Sequence, residues 1–585
     1  MADLILECVR EGHGDGPDAC ARLLRVAARL VPDNIEARPT RIIEAPDLRA
    51  AIVNPSPEGV YAAEGGIMLG VVIGPAGHWW QVGSEPPDGT YALVRYSAAT
   101  IELVTDATAS RSLWYANDGQ RLIVSTSQRA VVAMLGGLSL NREAVTWFLL
   151  SGTLGPDAVW DARVRRVPPD SRFTVDRRTW QAELVQRPAV FAPDPGSHRE
   201  HLDRLREAVG WSCANLDIDQ DRWLLPLSGG RDSRAILEGL ARCGRPPKCI
   251  TWTTRASTRK PLSDAHVARV VARRFHTEHR YVFLDINSEG LGSALQRFIE
   301  LGEGSTDAFA GYIDGCAMWR DLFKEGAYGV IRGDEPLVVR VRMASYDGAR
   351  RHAHGTVVTD YPEDHLVRRL GLAEQQWPER LQPHADEEPR GYRDRLSHQA
   401  YIPYVLAPLT EIKCRYVEVV NPLLSRRVVA VARAFPEELR RYGRALPAIV
   451  DVKTRLIPLA KFTSLPGDEV FLEDAEIVRT IVATLASTAV EDVLGERAAL
   501  TLLAALASPA HTPAGIRRQV VAAMKPARVV LPSRLKYRLK PPYRGPDPLT
   551  APRLAFRATV AAKALALLGD DARVSNGGAH PSSGS

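Results

Sequence analysis

Cysteine is scarce in this chain: seven in 585 residues, scattered singly, with no CxxC pair and no spacing that suits zinc. A disulfide framework and a structural zinc site are thereby excluded, and reduced thiols fit a cytoplasmic protein. Long apolar runs are missing as well. No stretch approaches eighteen apolar residues, and Met1-Ala2-Asp3-Leu4-Ile5-Leu6-Glu7 lacks the basic flank and apolar core of a signal peptide, so no membrane span is expected. Excess charge is small, a formal +6, which gives no reason to expect nucleic acid as a partner. Lysine is far outnumbered by arginine, so each lysine can be weighed singly. No internal repeat is present.

What remains is globular in composition and too long for one core, which predicts two domains. Over residues 1–195, short alternating stretches such as 66–73, 91–96 and 101–104 predict antiparallel sheet. A Pro-rich bridge from Arg187-Pro188 to Asp194-Pro195-Gly196 reads as a linker. Residues 196–572 open with a helical pattern at 201–209 and a strand at 223–227. Strand and helix patterns then alternate, which predicts an α/β unit with a parallel sheet, before the mostly helical sequence beyond about 400. Residues 573–585 are small and polar and read as a disordered tail.

The chemistry centres on Leu227-Ser228-Gly229-Gly230-Arg231-Asp232-Ser233, a glycine turn between an apolar strand and a helix. Glycines admit an anion close to the backbone, and a helix start offers free amides and a positive dipole end. The Ser228 and Ser233 hydroxyls can add donors to the same phosphate. An acid inside a phosphate loop repels its ligand unless a metal lies between, so Asp232 is read as a Mg²⁺ ligand to the pyrophosphate part of ATP. The Gly-Lys-Ser/Thr ending of a Walker loop is absent, which favours cleavage between the α and β phosphates.

SGGRDS resembles the PP-loop signature of the asparagine synthetase superfamily, whose members adenylate a carboxylate and let an amine displace AMP. The resemblance runs over roughly residues 85–465. Thr251-Trp252-Thr253 ends the next strand, where the family's backbone contacts adenine. Ser263-Asp264-Ala265-His266-Val267-Ala268 and Glu418-Val419-Val420-Asn421-Pro422-Leu423-Leu424 are similar to two further family segments. It implies a second acidic turn after a later strand, whose Asp completes the Mg²⁺ site. Two segments compete for that role. The one ending in Asp307 follows a helical pattern, whereas Gly333, Asp334 and Glu335 follow the short apolar run 328–331, and these are chosen. Ile331 stands where the family keeps Glu or Tyr, which counts against asparagine and β-lactam synthesis. The family's late lysine is matched best by Lys461 among Lys413, Lys453 and Lys461. Glu411 is the candidate base for the incoming amine, or a partner of Lys413.

Segments at 88–93, 105–107, 111–115 and 125–128 are similar to the glutamine amidotransferase domain that precedes the synthetase domain in asparagine synthetases. The resemblance therefore implies an N-terminal α+β amidotransferase-like (Ntn) sandwich followed by a PP-loop α/β domain. That amidotransferase works with an N-terminal Cys. Here Ala2 stands second and the nearest cysteine is Cys8, so glutaminase activity is not expected and the domain reads as scaffold. An amine carried on the substrate then points to the lasso-peptide cyclases, which join a peptide's N-terminal amine to an Asp or Glu side chain. The partners so implied are a leader-free precursor peptide and, in the same pathway, a leader peptidase and a precursor-recognition protein. A small-molecule ligase of the β-lactam or asparagine synthetase kind and a non-catalytic scaffold are the alternatives. The basic, aromatic patch Arg534 to Arg544 reads as a solvated face, with an acidic partner, peptide or nucleic acid as the alternative. His13, His78, His276 and His279 read as structural, and Trp79, Trp80 and Trp114 as core.

Overall fold

The computed structural model describes residues 2–11, 19–284, 289–334, 336–337, 343–440, 445–463, 469–507, 543 and 549–575. Its first 186 residues form two six-stranded antiparallel sheets. In one, the strand Asp3–Val9 lies between Arg121–Ser125 and Leu48–Val53. In the other, Gly66–Val72, Gly89–Tyr96 and Thr100–Thr105 are successive neighbours, as their alternation predicts. Period-two patterning turns Leu4, Leu6 and Cys8 toward Ile67, Leu69, Val94 and Leu103 of the facing sheet, while Ile5 points the other way. Ile5 there joins the helices Ala19–Arg29, Gln128–Leu135 and Arg142–Ser151. Trp79 and Trp114 are core as expected, but Trp80 is 37% exposed.

After the irregular residues 187–197 and the helix His198–Ala214 comes a five-stranded parallel sheet. Its spatial order is His279–Phe283, Lys248–Thr253, Trp223–Pro226, Gly329–Ile331, Glu418–Val420. The chain thus starts in the middle, builds outward to one edge, then returns to build the other side. Order reverses between Trp223–Pro226 and Gly329–Ile331, and in open parallel sheets the crevice beyond such a reversal is where ligands bind. Strand side chains alternate between two cores: Trp223, Leu225 and Ile331 go to one face, Leu224, Ile250 and Val330 to the other. Ile331 is 1% exposed, so its side chain belongs to the packing under the crevice.

The last helix, Ala551–Ser575, packs back onto the sandwich helix Gln128–Leu135 and onto the helices between 475 and 507. Asp571 accepts from Arg29 at 2.8 Å and also pairs with Arg129. Residues 573–575, expected in the tail, are its final turn; 576–585 lie outside the described residues, as does the basic patch apart from Tyr543. Buried ion pairs join sandwich and parallel sheet: Arg111 to Glu418 at 2.7 Å, and Arg415 to both Asp3 and Glu303.

Candidate functional site

The sheet order reverses above Leu227–Ser233, and the local bonding there is specific. The Leu227 amide donates to the Ile250 carbonyl at 2.8 Å, and the Leu227 carbonyl accepts the Thr251 hydroxyl at 2.6 Å. His279 Nε2 lies 2.9 Å from the same hydroxyl, and burial pushes its imidazole down to about 4, so it is neutral. Ser228 and Ser233 bond each other across the turn at 3.1 Å, and their oxygens also accept the Gly230 and Ser228 amides. The two serines therefore brace the loop, a role not foreseen for them. Gly229 donates to Asp264 Oδ1 at 3.2 Å. A Cβ at Gly229 would come 2.5 Å from that of Ala460, so this glycine is required by a crossing segment.

The helix Asp232–Arg242 begins with no described side chain capping it, whereas Ser197, Ser263 and Ser425 cap the helices that follow them. The start of this helix is its positive end.

The second acidic turn meets the first. Arg332 donates its amide to the Val420 carbonyl at 2.7 Å, which sets the exit from the strand Gly329–Ile331. Gly333 then packs on the Asp232–Ser233 peptide: a Cβ there would lie 3.0 Å from the Ser233 nitrogen and 3.1 Å from the Asp232 carbonyl carbon. Asp334 accepts from Arg332 Nη2 at 3.0 Å and from Asn421 Nδ2 at 3.1 Å. Burial would raise its carboxyl, but Arg332, Lys413 and Asn421 outweigh that and hold it below the ordinary carboxylate range. Glu335 lies outside the described residues. The competing Asp307 is elsewhere, paired with Arg553 and Arg557 of the last helix at 3.2 and 2.7 Å.

Among the described residues no three His, Cys, Asp or Glu side chains gather round one point. Asp232 and Asp334, brought together by Gly333, suit an ion that takes its other ligands from phosphate oxygens and water, as Mg²⁺ does.

Lys461 sits at the rim. The Ala460 amide donates to the Gly229 carbonyl at 3.0 Å and the Lys461 amide to the Leu262 carbonyl at 2.8 Å, while the Lys461 side chain is exposed. Buried Arg234 holds this segment from beneath through the carbonyls of Thr454, Ile457 and Pro458. Glu411 is not brought to the loop. It turns toward the sandwich, 4.0 Å from Arg166, and burial raises its carboxyl. Lys413, two residues on and so on the opposite side of the helix Ala407–Cys414, is the group that reaches the Asp334 region. Trp252 is half-buried, its ring centroid 5.7 Å from that of Trp319 and 5.9 Å from the Arg332 guanidinium.

No family model and no curated protein matches the chain. Among solved structures, NMN synthetase from Francisella tularensis overlaps at 17% identity over 24% of this chain, with a TM-score of 0.17. The chain spans 57% of that protein's length. The allosteric regulatory enzyme of purine biosynthesis overlaps at 12% identity over 59% of this chain and 82% of its own, with a TM-score of 0.19.

Proposed function

We propose that this protein is an ATP-dependent, AMP-forming ligase. In this reading it activates an Asp or Glu side-chain carboxylate of a peptide and joins it to the peptide's N-terminal amine, closing a macrolactam. The packing of Gly333 on the Asp232–Ser233 peptide carries the reading. It sets two acids beside an uncapped helix start at the reversal of a parallel sheet. Asp232 and Asp334 would hold Mg²⁺, which when bound offsets charge on the departing pyrophosphate.

The protein's own groups do the rest. Thr251 fixes Leu227, Ser228 and Ser233 hold the turn, and the first amides of the helix Asp232–Arg242 face the phosphates. A carboxylate oxygen attacks the α-phosphorus and pyrophosphate leaves; the amine then attacks the acyl carbon and AMP leaves. Lys461, at the rim, is the cation we assign to the phosphoryl oxygens. Cys8 points into the sandwich core and the Ala2 carbonyl is held by Arg111, so the sandwich is read as scaffold and the amine as arriving on the substrate. Holding both ends of one peptide makes the second step effectively intramolecular. A leader peptidase and a precursor-recognition protein belong to the same proposal.

The test is incubation with Mg·ATP and a leader-free peptide bearing an N-terminal Gly and an internal Asp or Glu. Loss of one water with stoichiometric AMP, abolished by Asp232→Ala, is the expected result. AMP without peptide dehydration would redirect the reading to small-molecule acids, and no AMP with any carboxylate would overturn it.

A further inference from the structure

The strand Ala182–Gln186 is the outermost of its sheet, paired on one side only, with Ser171–Asp176. Its register there decides which backbone groups are left over. The Arg187 amide donates to the Asp170 carbonyl at 3.0 Å, and the Asp176 amide to the Gln181 carbonyl at 3.0 Å. Bonded and non-bonded pairs alternate in an antiparallel ladder, so residues 181, 183, 185 and 187 turn their backbones inward. Ala182, Leu184 and Gln186 turn theirs outward, where their amides and carbonyls have no hydrogen-bond partner among the described residues.

The side chains leave this edge open as well. Sheets ordinarily protect an edge with lysine, proline, a bulge or an overlying element. Here Leu184 is 46% and Val185 53% exposed, and among the described residues no other strand position exposes a large apolar side chain so far. Leu184 pairs with Phe173 of the sandwich core, which places it on the inner face at the sheet margin, and Val185 pairs with Arg172 on the outer face. The other edges differ. Arg165–Arg166 is two residues long, Arg41–Ala45 carries exposed Arg41 and Glu44, Val60–Ala63 is half-buried and Glu418–Val420 is buried. His279–Phe283 exposes Arg280, which donates to Glu325 at 3.0 Å.

The outward set is symmetric. It is centred on Leu184, so a second strand of the same sequence, laid antiparallel about a twofold there, matches it group for group. Leu184 then faces Leu184 of the second copy, and Ala182 faces its Gln186. Each such pair exchanges both bonds, which uses every outward amide and carbonyl of the strand. Glu183, the one charged residue of the strand, stands opposite Val185, so no like charges directly oppose. Pro188, the next outward position, has no amide, and the pairing stops there. A twofold interface demands a surface that complements itself, and this edge does.

We infer that two copies of this chain associate through Ala182–Gln186, joining two six-stranded sheets edge to edge across a twofold at Leu184. Such short strands cover little surface, so the association is weak, with half-dimerisation on the order of 10–100 µM. The inference is independent of the adenylation reading.

The test is sedimentation of the full chain from about 1 to about 300 µM, with amide exchange measured at both ends of that range. Wild type is expected to dimerise, and the Ala182, Leu184 and Gln186 amides to gain protection with concentration. Those of Glu183 and Val185 should be protected throughout. Leu184→Pro removes only an outward amide, at an edge where proline is tolerated. It should weaken dimerisation about tenfold or more with the melting temperature unchanged. Leu184→Lys, at an exposed position, sets two ammonium groups face to face and should do the same. A wild type that stays monomeric across this range overturns the inference. So does a dimer that survives both substitutions, or one whose three outward amides stay unprotected. Protection of those amides by an added extended peptide, with the chain itself monomeric, would overturn the dimer and assign the edge to a peptide strand.

Discussion

Gly333 and Ser233 touch backbone to backbone: a methyl group at 333 would intrude to 3.0 Å on the Ser233 nitrogen. The atoms in its way are main chain at the start of a helix, which cannot swing aside as a side-chain tip can. Gly333→Ala should therefore destabilise by about 1–3 kcal/mol and separate the two acidic turns. Calorimetric unfolding and ATP titration check both effects. Gly210→Ala, in the helix His198–Ala214 with nothing within 4 Å of the new methyl, is the control. It should stabilise by up to about 1 kcal/mol.

Asp334→Asn removes the charge to which Arg332 donates. AMP formation should fall by more than about 100-fold if the carboxylate serves the phosphoryl step. The fold should survive, because Asn can still accept from Arg332 and Asn421. Circular dichroism together with nucleotide analysis separates these outcomes; retained AMP formation would remove Asp334 from the site.

Lys413 makes stability depend on pH in a calculable direction. Its ordinary value is 10.5 and burial, helped by Arg332, pushes it to about 7. Between those values the unfolded chain holds a proton that the folded one does not. Stability thus rises with pH through this window by up to about 1.4 kcal/mol per unit, and the cost of burial is complete at and below pH 7. Lys413→Met should be more stable than wild type, with the gain largest at pH 7 and shrinking toward pH 9. Urea midpoints across that range read it directly, and a gain independent of pH would show that Lys413 is not neutral there.

Arg111 and Glu418 join the sandwich to the last strand of the parallel sheet with side-chain exposures of 3% and 1%. Arg111→Met alone should cost about 3–5 kcal/mol, because it leaves Glu418 buried without its partner. The double change Arg111→Met with Glu418→Leu should recover most of that loss. A denaturant double-mutant cycle measures the coupling; additive effects would mean that the pair acts independently.

Much of this architecture could be read from residue patterns, and the reasons are local. Alternation marked the strands at 66–72 and 100–105, and the short apolar run before Gly333 separated the strand Gly329–Ile331 from the helix preceding Asp307. The parts that escaped depend on packing. Glu411 and Lys413 differ by two positions on one helix, and only the tertiary arrangement decides which of them looks at Asp334. Ser228 and Ser233 have the hydroxyls a phosphate wants, yet whether these face a ligand or one another is set by the turn. Ile331 marked a departure from the resemblance, and its side chain is taken up by the core beneath the sheet.

The helix Ala551–Ser575 also governs how the chain is made. It covers the outer helices of a sandwich whose last strand, Ala182–Gln186, ends 389 positions before the helix does. At about 5–20 residues per second, the ribosome spends roughly 20–80 s between making the helix Gln128–Leu135 and supplying the helix that shields it. Through that interval Val131, Val132 and Met134 have no lasting cover from the final helix. The nascent protein is thereby a natural client for holding chaperones, and its yield should depend on translation speed more than its finished stability would imply.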